Sequence, residues 1–346
     1  MLTSASGALA TRVALDLLDD YDAILLAVSG GPDSVALMLV AAQWAGRAER
    51  RIEVATVDHG LRADSAAEAA LVGDWARALG FAHHLLVWAG EKPSSRVQER
   101  ARDARYALLI DCAVATGARA IVTAHHADDQ AETILFRLSR GTGVAGLSGM
   151  ADVAPCGPVA LARPFLEASK ADLEQICRAA GHPFLSDPSN ANEKFARARM
   201  RRLAPVLAEQ GLDRGSLTRL GRRARRASAA LEFYAQSTMR SARIDCDDDC
   251  VRLHAAKMLQ APAEIVLRVL ETEIARLAPA ARIRLDRLER LGESLAPALA
   301  DGRAWRTTLA GVLIETRKNE LILRRAPPRQ FRDTALDRRG ERPSGA

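Results

Sequence analysis

Ser29-Gly30-Gly31-Pro32-Asp33-Ser34 sits between an aliphatic run, Ala23 to Val28, and a longer run free of breakers, Val35 to Ala45. The first run has the length and composition of a buried strand, and the second of a helix. A strand, a glycine-rich turn and a helix together make a phosphate site. Two glycines let backbone N–H groups come close, and the helix start adds partial positive charge. Pro32 suits the first helical position, where its missing N–H costs nothing. Ser29 and Ser34 add hydroxyls. No lysine follows, so this is not the G-x-x-x-x-G-K-[ST] loop. An ordinary glycine turn capping a core helix would use the same residue types.

Working outward, the pattern repeats. Residues 8–19 read as a short amphipathic helix ahead of the first strand. Arg51 to Val57 is a second strand, ending in Asp58-His59-Gly60-Leu61-Arg62. Asp64 opens a helix to about Leu79, and Phe81 to Val87 is a third strand. Val97 to Ala115 is a helix stopped at Gly117, and Arg119 to Ala124 is a fourth strand leading into His125-His126-Ala127-Asp128-Asp129-Gln130. Such alternation predicts an α/β fold, a doubly wound parallel sheet with helices on both faces. Ligands in these sheets sit beyond the C-terminal strand ends. Ser29, Asp58 with His59, and His125 with Asp129 all fall there, which argues for one active-site crevice.

Asp128 and Glu132 share a helix face, with Asp129 beside it. Acids at a helix start also complement its dipole. That accounts for the carboxylates but not for two histidines at a strand end. Zinc would need further ligands from elsewhere, and the residues identify no metal set. Gly141 to Met150 carries four glycines in ten residues, too many for a helix or strand interior, and its position favours a lid. Arg163-Pro164-Phe165 leads into a capped helix, Ser169 to Ala180, and Asp187 to Asn190 is a turn.

The chain has 346 residues, so two domains are expected. The formal charge is +6, and from Arg197 to Arg226 ten arginines face only Glu209 and Asp213. A polyanionic partner fits, as does a solvated helix face. Five scattered cysteines without a C-x-x-C pair argue against a disulfide framework or structural zinc and fit a reducing compartment. No signal-peptide pattern or membrane-length apolar run is present, so a cytoplasmic protein with no membrane partner is expected. Beyond Gly211 to Gly215 the pattern turns helical: Leu217 to Ala242, Ala263 to Leu277 and Arg282 to Leu295. A hairpin follows, Val312 to Thr316 with Glu320 to Arg324. The expected division is a catalytic domain over 1–212, a smaller and mainly helical domain over 213–330, and a disordered tail over 331–346.

Ser29 to Ser34 resembles the SGGxDS loop of the ATP pyrophosphatase (PP-loop) superfamily, which cleaves ATP between its α and β phosphates. The first two-thirds of the chain resembles the bacterial tRNA(Ile)-lysidine synthases within it. The matching stretches are Ser29 to Ser34, Val57 to Arg62, Ala101 to Tyr106, Thr123 to Met150, Asp187 to Asn190 and Phe195 to Arg201. The chain departs at Ala198, where the family usually has Asn between two arginines, which puts a contact near Arg197 in doubt.

The resemblance implies a ligase that adenylates C2 of the first anticodon cytidine in an isoleucine tRNA with a CAU anticodon. Free lysine then displaces AMP to form lysidine. It implies ATP bound by Ser29, Gly30, Gly31, Pro32, Asp33, Ser34 and Asp58, with Mg²⁺ on the phosphates and no tightly bound cofactor. Catalysis falls to Asp129, His125, Arg105 and Arg197, and tRNA binding to Arg199, Arg201 and Arg202. A homodimer is compatible. Related cytidine thiolases share the loop, but their cluster-binding members carry C-x-x-C pairs absent here. A non-catalytic RNA-binding module would not need the intact loop or the His125 to Glu132 block.

Overall fold

The computed structural model describes residues 14–44, 50–90, 92 and 95–185, residues 196–201 as backbone, and residues 202–327. The turn at Asp187 to Asn190, the tail over 331–346 and the first half of the helix over 8–19 lie outside these residues. The described part of that helix, Asp16–Leu18, is a single 3-10 turn. The chain divides into two compact units, Met1–Ala227 and Ser228–Ala346.

The first unit alternates as its apolar runs dictate. Strand β1 (Ala23–Ala27) leads into helix α1 (Pro32–Gln43), β2 (Arg51–Asp58) into α2 (Ser65–Ala78), and β3 (Ala82–Val87) into α3 (Val97–Thr116). Strand β4 (Ala120–Val122) leads into α4 (Ala127–Leu138) and the single turn α5 (Val144–Leu147). Then come β5 (Val153–Cys156), β6 (Val159–Ala162) and α6 (Lys170–Ala179). The sheet order is β3-β2-β1-β4-β6-β5, parallel except for the edge pair β5 and β6. Strand order reverses between β1 and β4, and ligands bind at such a switch point. Side chains alternate along β1: Ile24 and Leu26 join the core with α1 and α6, while Leu25 and Ala27 join the core with α3.

Strands β5 and β6 were not expected, because each is only four residues long. The glycine-rich segment also differs from the sequence reading, which allowed it no helix. Its backbone is braced by side chains of α4. Arg137 Nη1 donates to Gly146 O at 2.9 Å and Gly149 O at 2.7 Å, and Gln130 pairs with Met150 N and O at 2.6 and 2.9 Å. External partners supply what its own propensity lacks.

Helix α7 (Ala196–Glu209) follows, and α8 (Arg214–Ala242) carries residues of both units. The second unit holds α9 (Ala255–Gln260), α10 (Ala263–Leu277), α11 (Leu285–Ala300) and a five-stranded antiparallel sheet. The sheet runs β7 (Arg243–Cys246), β8 (Cys250–His254), β11 (Glu320–Arg325), β10 (Val312–Arg317) and β9 (Trp305–Leu309). The expected hairpin is its centre, with three further strands added. Val251, Leu253, Ile314 and Leu321 pack against Ile265, Val269, Ile274 and Leu295. Glu273, only 1% exposed, is neutralised by Arg276 at 2.7 Å and Arg243 at 3.3 Å.

Helix α6 supports the glycine loop from behind: Cys177 Sγ donates to Pro32 O at 3.3 Å. A capping box starts α6, with Ser169 Oγ accepting from Asp172 N at 3.1 Å and Asp172 Oδ2 accepting from Ser169 N at 2.8 Å. Ser169→Ala is expected to cost about 1 kcal/mol, read as a lower urea midpoint. An unchanged midpoint would show that α6 holds without its cap.

Candidate active site

The first site element follows β1. Gly30 has φ +89°, and a Cβ there would lie 2.5 Å from Leu185 Cδ1 and 2.9 Å from Val72 Cγ2. Only glycine fits both the backbone and the space. Leu185 N donates to Gly30 O at 2.8 Å. Ser34 acts inside the loop: its hydroxyl donates to Gly31 O at 3.0 Å and accepts from Ser29 N at 3.1 Å. The first intrahelical bond is Val35 N to Gly31 O at 3.0 Å. N–H groups before it have no intrahelical acceptor and can face an anion.

The second element follows β2. Asp58 Oδ1 accepts from Gly60 N at 2.8 Å in a turn where Gly60 has φ +59°. Burial works against the Asp58 charge, but Ser65 and Gly60 more than offset it and hold the carboxyl below its usual range. A cavity of about 390 Å³ opens here, lined by Ser29, Asp58, His59 and, from α3, Arg105. Burial first, and then Arg105, push the His59 imidazole below its ordinary value. Arg105 is half-buried, and no carboxylate pairs with it among the described residues.

The third element follows β4, where extended backbone at His126 (φ −124°, ψ −179°) sends successive side chains to opposite sides. His125 Nδ1 pairs with Thr123 Oγ1 at 2.8 Å. Burial, then Arg163 and Arg105, press His125 down to about 3, so it is a neutral imidazole. His126 meets the opposite charge. Its Nε2 lies 3.4 Å from Asp129 Oδ2 and 3.6 Å from Asp33 Oδ2, and its Nδ1 lies 3.5 Å from Asp128 Oδ2. Burial opposes its proton, but Asp128, Asp33 and Asp129 outweigh burial and raise it to about 10.

Asp128 is drawn down, by His126 above all, and its Oδ2 also accepts from Lys170 N at 2.9 Å. Asp129 accepts from His126 N at 3.1 Å, and burial pushes its carboxyl up. Asp33 and Asp129 therefore share one imidazolium, which places the glycine loop and the start of α4 on the same rim. The imidazole beside Asp129 is that of His126.

Ser29, Asp58 and Arg105 line one cavity, and Asp33 and Asp129 meet at His126. Arg197, Arg199 and Arg201 lie on the backbone of α7, and Arg202 is exposed on it. Sequence reasoning gave His126, Asp128 and Arg163 no role. The His-His pair was a signal that two different surfaces are served, whereas Arg163 had none because β6 was not recognised.

The raised His126 value has a stability consequence with a definite sign. Its contribution is complete below about pH 6.5, the unfolded value, and disappears as pH climbs through the folded value of about 10. Unfolding free energy should fall more steeply over that interval in the native protein than in His126→Gln. Parallel pH profiles would contradict the buried imidazolium.

Comparison with known proteins agrees with this architecture. Residues 8–207 match the family model described as PP-loop domain. The tRNA(Ile)-lysidine synthase of Methylobacterium sp. (strain 4-46) is 48% identical over 89% of this chain and 90% of that protein. Those of Methylobacterium nodulans and Bradyrhizobium sp. (strain BTAi1) are 46% and 44% identical over 89% and 90% of this chain, and over 91% and 92% of their own. In fold, the chain is similar to the U34-tRNA thiolase NcsA from Methanococcus maripaludis, with TM-score 0.51, 14% identity, and coverage of 62% of this chain and 76% of that one. The glycine loop, the strand order and these relatives agree: this chain belongs to the tRNA(Ile)-lysidine synthase family of PP-loop proteins.

Proposed function

We propose that this protein ligates free lysine to C2 of the first anticodon cytidine of a CAU-anticodon isoleucine tRNA, using ATP. The observation that carries this reading is the gathering of Ser29, Asp58, Arg105, His126 and Asp129 at one rim of one parallel sheet. Among the described residues no helix is long and apolar enough to cross a membrane, and a cytoplasmic location suits free lysine, ATP and tRNA as substrates.

In the first step the cytidine C2 carbonyl oxygen attacks the α-phosphorus and pyrophosphate leaves. The urea-like C2 is a weak electrophile, and the adenylate makes its oxygen a leaving group. The glycine loop and the start of α1 would hold the phosphates through backbone N–H groups. Arg105 and Arg197 would balance charge on the α-phosphate as the bond to it forms and breaks. Hard oxygen donors suit Mg²⁺, and Asp33 Oδ1 is a buried oxygen with no hydrogen-bond partner. Asp33 would hold that ion, which supplies charge neutralisation at the phosphates.

In the second step the lysine ε-amine attacks C2, the C2–O bond breaks and AMP leaves. That amine begins as an ammonium of pKa about 10.4. Asp129 is the carboxylate to receive it, because burial has already raised its proton affinity. Neutral His125, on the other side of the strand end, would serve as an uncharged hydrogen-bonding group beside the arginines rather than as the base.

Incubation with labelled lysine, ATP and a CAU-anticodon isoleucine tRNA transcript should give incorporation matched by AMP release. No incorporation under saturating substrates would refute the reading. Asp129→Asn should reduce lysine transfer by about a hundredfold or more with ATP affinity kept; unchanged turnover would remove Asp129 from the mechanism. Neutralising Arg199, Arg201 and Arg202 together should weaken tRNA binding and lower the salt slope by roughly two to three, with ATP binding unaffected. A loss confined to ATP would contradict their role.

A further inference from the structure

The end of β6 adds a residue to the rim that the mechanism above does not use. Ala162 pairs with Val122, and Thr123 N donates to Ala162 O at 3.0 Å, so Arg163 stands beside Thr123 and two residues short of His125. Arg163 is only 9% exposed. Its Nη1 donates to Ala151 O at 2.7 Å, while its Nε is buried with no hydrogen-bond partner. The largest charge effects on His125 come from Arg163, Arg105 and Arg102. Asp152, which acts on Arg163, is half exposed and already paired with Arg225 at 2.8 Å. Arg102 is exposed and lies over the Tyr106 ring, its Cζ 5.0 Å from the centroid.

Positive charge brought together and partly buried without an anion is costly. A ligand that carries the anion removes the cost. Guanidinium groups present planar pairs of donors that match phosphate oxygens. We propose that Arg163 and Arg102, next to Arg105, form a second phosphate-binding subsite beside the one at the glycine loop, which receives a phosphoryl anion of the substrates. The identity of that anion rests on the lysine-ligase reading. It is either a backbone phosphate beside the target cytidine or the pyrophosphate released in the first step.

The test uses the full chain with Arg163→Gln, Arg163→Lys and Arg102→Gln. The two probes are a tRNA transcript titrated over a salt series and inorganic pyrophosphate as an inhibitor of ATP turnover. Arg163→Gln should weaken one probe about tenfold, and Arg163→Lys should lose less. A loss on tRNA with the salt slope reduced by about one identifies an RNA phosphate. A loss on pyrophosphate alone identifies the leaving group. Native affinity for both probes in a folded Arg163→Gln protein overturns the subsite. Should Arg163→Gln fail to fold, exposed Arg102 decides: weakening of either probe in Arg102→Gln supports the subsite, and native binding of both overturns it. Lysine incorporation by the unmodified protein separates the two claims. Its absence, with pyrophosphate binding still lost in Arg163→Gln, refutes the ligase reading and leaves the subsite standing.

Discussion

A buried, protonated His126 among Asp33, Asp128 and Asp129 is the constraint on which the site depends. Three carboxylates in so small a space repel one another. One imidazolium removes that conflict and sets the geometry as well. Asp33 belongs to the first turn of the helix after the glycine loop, and Asp128 and Asp129 to the first turn of the helix after β4. Asp128 also accepts from the first amide of α6, the helix that packs behind the loop. Three segments distant in sequence are thereby tied to one side chain.

The strand end that presents His126 presents His125 to the other side. The first face is acidic and suits an ammonium. The second carries arginines and suits phosphates. An enzyme that joins an amine to an adenylated base needs both, close together but not neutralising each other. Extended backbone provides that separation, because adjacent residues of a strand point apart. His125 remains neutral beside arginines while His126 carries a proton beside carboxylates. Two histidines one residue apart therefore hold opposite protonation states at neutral pH.

Much of this was legible in the sequence. Apolar runs of strand length alternating with longer ones gave the parallel sheet, and glycines and carboxylates at the ends of those runs gave the rim. What escaped lay where local signals are weak. Strands β5 and β6 are four residues each and supply no periodicity, so Arg163 had no strand end to belong to. The glycine-rich segment reads as structureless because its bracing comes from Arg137 and Gln130 on another element. Strands β7, β8 and β9 pair in an order that only the folded chain shows. Composition alone also cannot say which of two adjacent histidines turns toward Asp129.

The central claim is that nucleotide, RNA base and lysine meet at this rim in a fixed order, with an adenylated cytidine between the two steps. The direct measurement is a single-turnover reaction with ATP labelled at its α-phosphate and the tRNA transcript, first without lysine. The account predicts label joined to the RNA with pyrophosphate released, then discharged as free AMP when lysine is added. Lysine incorporation without label ever reaching the RNA would contradict it.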